Sequence, residues 1–101
     1  MIYLTALMFI NEGKEDVFKT YEASVLPILK DYNGKLIYRI RPKEEDYIEL
    51  EGERPFEIHF ISFPSHADFV GLTKDDKSNR FANLKIDSIT TSFIVTGATL
   101  S

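Results

Sequence analysis

The segment Val17–Arg41, VFKTYEASVLPILKDYNGKLIYRIR, constrains the fold more than any other. Val17, Phe18, Tyr21, Val25, Ile28, Leu29 and Tyr32 recur at helical spacing, so one face of a helix is apolar. Glu15 and Asp16 fall in its first turn, where carboxylates favour the positive end of the helix dipole. Asn33-Gly34 supplies residues that tolerate a left-handed end, and Lys35 to Arg41 then alternates as a strand stopped by Pro42. Pro27 lies inside the helix and removes the hydrogen bond to the Ala23 carbonyl, predicting a kink. Such a bend lets a long helix wrap a twisted sheet; alternatively, it opens a cavity beneath the helix.

A strand precedes this unit. Ile2 to Ile10 is a continuous apolar run ending at the turn signal Asn11-Glu12-Gly13. After it, Lys43 to Arg54 is mostly acidic and reads as a solvated connection, because the glycine and ligand offsets of a calcium loop are absent. Pro55 to Phe63 forms a third strand, stopped by Pro64. Ser65 is an N-cap for a second helix, with Asp68 at the third position of a capping box. A polar linker, Thr73 to Lys77, leads to another helical turn over Ser78 to Leu84. Ile89 to Thr99 is a fourth strand rich in β-branched residues.

The order is β-α-β-β-α-β: a ferredoxin-like α+β domain over residues 1–101, with a four-stranded antiparallel sheet and two helices on one face. Right-handed crossovers put the third strand between the first and second. Alternation assigns Ile2, Leu4, Ala6, Met8, Leu36, Tyr38, Ile40, Phe56, Ile58, Phe60, Phe93 and Val95 to the helix side. It assigns Tyr3, Thr5, Leu7, Phe9, Ile37, Arg39, Arg41, Glu57, His59, Ile61, Phe63, Ser92, Ile94 and Thr96 to the open side. An open face carrying Leu7, Phe9, Ile37, Ile61, Phe63 and Ile94 is too apolar to face water. The partner expected is a second copy, two sheets closing into a barrel-like homodimer.

Several function classes are excluded or disfavoured by composition. With a formal net charge of −4 and no basic block, the chain has no footprint for nucleic acid. It has no cysteine, which removes disulfides and thiolate chemistry and fits a reducing, cytoplasmic setting. MIYLTALMFI is too short to span a bilayer and lacks a basic flank, so no membrane segment is expected. Two histidines without cysteine argue against a metal site, and no cofactor is expected. His66, at the start of the second helix, reads as an exposed surface residue.

The pattern Tyr21…Leu26-Pro27…Tyr32-Asn33-Gly34-Lys35…Arg39, then Glu51-Gly52…Arg54-Pro55, then Phe63-Pro64-Ser65 resembles the family of domain of unknown function 1330. The resemblance covers Tyr3 to Leu72. It implies membership of the dimeric α/β-barrel superfamily, which includes cofactor-free monooxygenases, lactone isomerases and haem-binding proteins, and so leaves function open. Beyond Leu72 the chain departs from the family, lacking its tyrosine-containing segment and basic helix.

His59 and Arg39 are the candidate catalytic pair. A histidine beside Glu57 could act as a general base while Arg39 stabilises an enolate or phenolate. The alternative is a hydrogen-bonded polar cluster of His59, Glu57, Arg39 and Arg41 at the dimer interface. Tyr3, Tyr21 and Tyr38, with Glu57, are the candidate ligand-binding residues, although tyrosines equally fill small aromatic cores. Three functions follow: binding of a small apolar or aromatic metabolite, a cofactor-free monooxygenase or isomerase, and a non-catalytic dimerisation module.

Overall fold

The computed structural model describes residues 1–76 and 80–97; Lys77, Ser78 and Thr99, which bound three of the expected segments, lie outside them. Strand β1 spans Ile2–Ile10 and helix α1 Glu15–Val25, followed by a 3-10 segment, Leu26–Tyr32. Strand β2 spans Lys35–Ile40, β3 Glu57–Phe63, helix α2 His66–Thr73, α3 Ala82–Ser88 and β4 Ile89–Gly97. The sheet is antiparallel throughout, in the order β2-β3-β1-β4, so β3 does lie between β1 and β2. No helix among the described residues is long and apolar enough to cross a membrane.

Pro27 does more than kink the first helix. Helix α1 closes with the Leu26 N–H donating to the Glu22 carbonyl. Pro27 has no N–H to continue the ladder, and the chain winds more tightly through to Tyr32. That segment ends at Asn33, in the left-handed region at φ 61°. Gly34 is needed for a different reason: a Cβ there would sit 2.8 Å from the Phe63 ring and 3.0 Å from the Leu29 carbonyl oxygen. The 3-10 turn is thereby drawn tightly onto β3. Ser65 caps α2 as expected, accepting from the Asp68 N–H at 3.3 Å, while its hydroxyl donates to the Asp68 carboxylate at 2.9 Å.

Leu4, Leu29, Ile61 and Phe63 form the centre of the core, with Leu26, Tyr32, Leu36, Phe69 and Leu72 packed around them. Ile61 and Phe63 are therefore under the helices, which overturns the face assignment expected for β3. Pairing fixes the faces: Leu4 opposes Ile61, and Ala6 opposes His59. Because Leu4 and Ala6 are buried, Glu57, His59, Ile61 and Phe63 all share their side. Ile58 and Phe60 face the open side instead.

In β2 the expected alternation breaks at one residue. Leu36 opposes Ile61 and Tyr38 opposes Phe60, so Ile37 is an extra residue in a bulge. Past it, Tyr38 and Ile40 turn to the open face, and Arg39, opposite His59, turns under the helices. In β4, Ser92, Ile94 and Thr96 align with Met8, Ala6 and Leu4, leaving Phe93 and Val95 on the open side. The open face is consequently more aromatic than alternation alone implies. Tyr3 and Tyr38 both stack on Phe60, and Phe9 meets Phe93 edge to face. Tyr38, Ile40, Phe93 and Val95 are each more than half exposed.

Candidate functional site

Beneath α1, three elements bring five charged or titratable side chains together. Glu57 and His59 come from β3, Arg39 and Arg41 from the end of β2 and the residue after it, and Glu22 from α1. Glu57 is fully buried, Glu22 is 1% exposed and His59 4%. Glu57 Oε1 accepts from Arg39 Nε at 2.6 Å, and Oε2 accepts from Arg41 Nε at 2.8 Å. Arg39 Nη2 also donates to Glu22 Oε1 at 2.9 Å, so a single guanidinium ties the helix to the sheet. Arg41 lies over the Phe56 ring, 5.2 Å from its centroid.

His59 Nε2 stands 2.6 Å from Glu57 Oε1 and 2.9 Å from Glu22 Oε2. One N–H can lie along only one of those lines, and the shorter points to Glu57. Glu22 Oε2 keeps the electrostatic attraction without a hydrogen bond of its own.

These contacts set the protonation states. Burial pushes His59 down, but its hydrogen bond to Glu57 and its charge attraction to both Glu22 and Glu57 outweigh that and hold it at about 9. Burial would likewise raise Glu57, yet donors from His59, Arg39 and Arg41 drive it well below the ordinary carboxylate range. In Glu22, burial wins: its carboxyl is raised, with the nearby Glu57 charge adding to the shift against His59 and Arg39. At neutral pH the cluster therefore holds an imidazolium and an ionised Glu57, and Glu22 is the member that most readily takes a proton. Tyr21, half-buried beside Glu22, has its phenol raised by burial and by that carboxylate.

Glu22, Glu57 and His59 each present one possible metal-ligand atom, all within 4.8 Å of one another. The donor set fits a proton better than a divalent cation. Two carboxylates are already balanced by two guanidiniums, and a dication held by a deprotonated His59 would put two uncompensated positive charges in a buried site where the imidazolium puts one.

Of the residues nominated from sequence, Glu57, His59 and Arg39 are brought together. Tyr21 borders them, whereas Tyr3 and Tyr38 lie on the opposite face of the sheet, stacked on Phe60. The cluster is under the helix and not on the open face where an interface was expected. Glu22 was missed, although a signal for it exists: with Phe18, Val25 and Leu29 it lies on the buried stripe of the helix.

A groove of about 1020 Å³ opens beside the cluster, between the end of α1, the 3-10 segment and edge strand β2. Ala23, Leu26, Pro27, Leu29, Leu36 and Ile37 form apolar walls, and Glu22, Arg39, Lys30 and Lys35 also line it. Pro27, by ending α1, contributes directly to this opening. His59 does not line it.

No family model matches the chain, and no curated protein matches it. Solved structures do. A protein of unknown function from Rhodopseudomonas palustris aligns over 99% of this chain and 82% of its own, with TM-score 0.81 and 15% identity. A putative antibiotic biosynthesis monooxygenase from Nitrosomonas europaea aligns over the whole of both chains, with TM-score 0.74 and 9% identity. A dimeric protein of unknown function with a ferredoxin-like fold, from Bacteroides fragilis, aligns over 97% and 95%, with TM-score 0.70 and 9% identity. At these identities the likeness establishes the ferredoxin-like fold.

The cluster predicts a pH dependence of known sign. His59 is raised in the folded protein, so its contribution is complete below about pH 6.5 and is lost as pH rises through about 9. Thermal unfolding followed between those values should show a falling Tm. The His59→Gln variant should be less stable at pH 6.5 and flatter across the window. Parallel curves for the two proteins would show that His59 is not charged by its neighbours.

Proposed function

We propose that the chain is a small-molecule-binding protein whose groove between the 3-10 segment and β2 holds an apolar or aromatic metabolite. The observation that carries this is the combination of apolar walls with a few polar groups, Glu22 and Arg39, converging at one place. The network behind them orients both side chains without requiring a ligand to do so. Backbone amides of Leu26, Ile37 and Arg39 should shift on titration with a naphthalene-ring probe, methoxynaphthalene or naphthoate, at roughly millimolar concentration. Ala23→Phe, on the exposed side of α1, should fill the groove and weaken that binding at least tenfold. Shifts that scatter over the surface, or that survive the substitution, would rule the groove out.

The same proposal includes a homodimer joined through the open faces of two sheets. The aromatic and aliphatic face of Tyr38, Ile40, Phe60, Phe93 and Val95 supports it, as does the dimeric state of the Bacteroides fragilis protein of the same fold. The barrel-like pairing implied by the resemblance to the domain of unknown function 1330 family agrees. Tyr38→Asp with Phe93→Asp should give a monomer in sedimentation velocity, with far-UV dichroism unchanged. A double variant that sediments as a dimer would place the interface elsewhere.

A second reading, a cofactor-free monooxygenase or isomerase, is favoured by one contact: Glu22 both lines the groove and touches His59. Here Glu22 exchanges the substrate proton and Arg39 faces the developing oxyanion, with His59 held behind them as a fixed charge. Its signature is deuterium uptake from solvent at the acidic carbon of acetylacetone, present in the native protein and lost in Glu22→Gln. Equal uptake in both proteins would leave binding as the function.

A further inference from the structure

The groove has a sign. Arg39, Lys30 and Lys35 line it against a single carboxylate, Glu22, in a chain whose formal net charge is −4. The buried network behind it is not neutral either. Arg39, Arg41 and the His59 imidazolium are set against Glu22 and Glu57, so one positive charge is in excess even with both carboxylates ionised.

Arg39 is the cation of that network that lines the groove. Its Nε is spent on Glu57 and its Nη2 on Glu22, while Nη1 makes no hydrogen bond to a described residue. The side chain is 40% exposed, unlike the carboxylates it binds. A guanidinium clamped on two sides cannot swing away, so its remaining edge is pre-positioned for an acceptor. A cationic ligand would meet repulsion from three side chains, and a neutral one would leave the excess charge unmatched.

We propose, resting on the groove being a binding site, that its ligand is an apolar or aromatic body ending in a single anionic group. The head, a carboxylate or an acidic enol or phenol, sits on Arg39 within the field of Lys30 and Lys35. The body lies against Leu26, Pro27 and Ile37.

The test is a titration of the native protein, followed by amide shifts, with three probes sharing one ring: naphthoate, methoxynaphthalene and naphthylmethylammonium. Naphthoate should bind about tenfold more tightly than methoxynaphthalene, with the ammonium weakest, and its advantage should shrink in high salt. Arg39→Gln should abolish the preference. Because that variant also breaks the buried network, Lys30→Gln with Lys35→Gln, both on exposed side chains, serves as the independent check. It should lower naphthoate affinity about threefold or more and leave methoxynaphthalene unchanged. Equal binding of the neutral and anionic probes in the groove would overturn the anionic head and leave the groove as a binding site. Absence of groove shifts with every probe would remove both.

Discussion

Glu57 is a fully buried carboxylate at the start of β3, and the architecture around it exists to keep that charge compensated. Two guanidiniums and an imidazolium reach it from three directions. Breaking such a pair by removing one member typically costs about 3–5 kcal/mol, because the survivor is left charged in a poor solvent. Arg39 extends the compensation to Glu22 and hence to α1. Helix position, bulge position and strand register are thus coupled: each must hold for the others to be affordable.

The bulge at Ile37 shows the coupling most directly. Without the extra residue, Arg39 would point to the open face and Glu57 would lose its shortest guanidinium contact. With it, Tyr38 and Ile40 move outward and join Phe60, Phe93 and Val95. One local irregularity therefore builds the charged network on one side of the sheet and the aromatic surface on the other.

The network also limits the chemistry available to the site. His59 is charged and sealed, so it is poorly suited to accept a proton from anything in the groove. Glu22 differs, since burial raises its carboxyl and it borders the opening. Of the network's members, Arg39 and Glu22 line the groove, and His59 is linked to it only through the charge it contributes.

The element order, the Asn33-Gly34 helix end, the Ser65 cap and the central place of β3 were legible from local periodicity and turn chemistry, because those depend on neighbours in sequence. So was the association of Glu57, His59 and Arg39, which strand pairing implies. The face on which they gather was not. Alternation specifies which residues lie together along a strand but not which side receives the helices, and polar residues in β3 bias that choice toward solvent. Only the packing of Glu22 from α1 against both arginines and His59 makes burial of the charged side favourable. The groove, too, belongs to tertiary structure: Pro27 ends the α-helix by itself, but the opening exists only where the 3-10 turn, pinned through Gly34 to Phe63, stands off the edge strand.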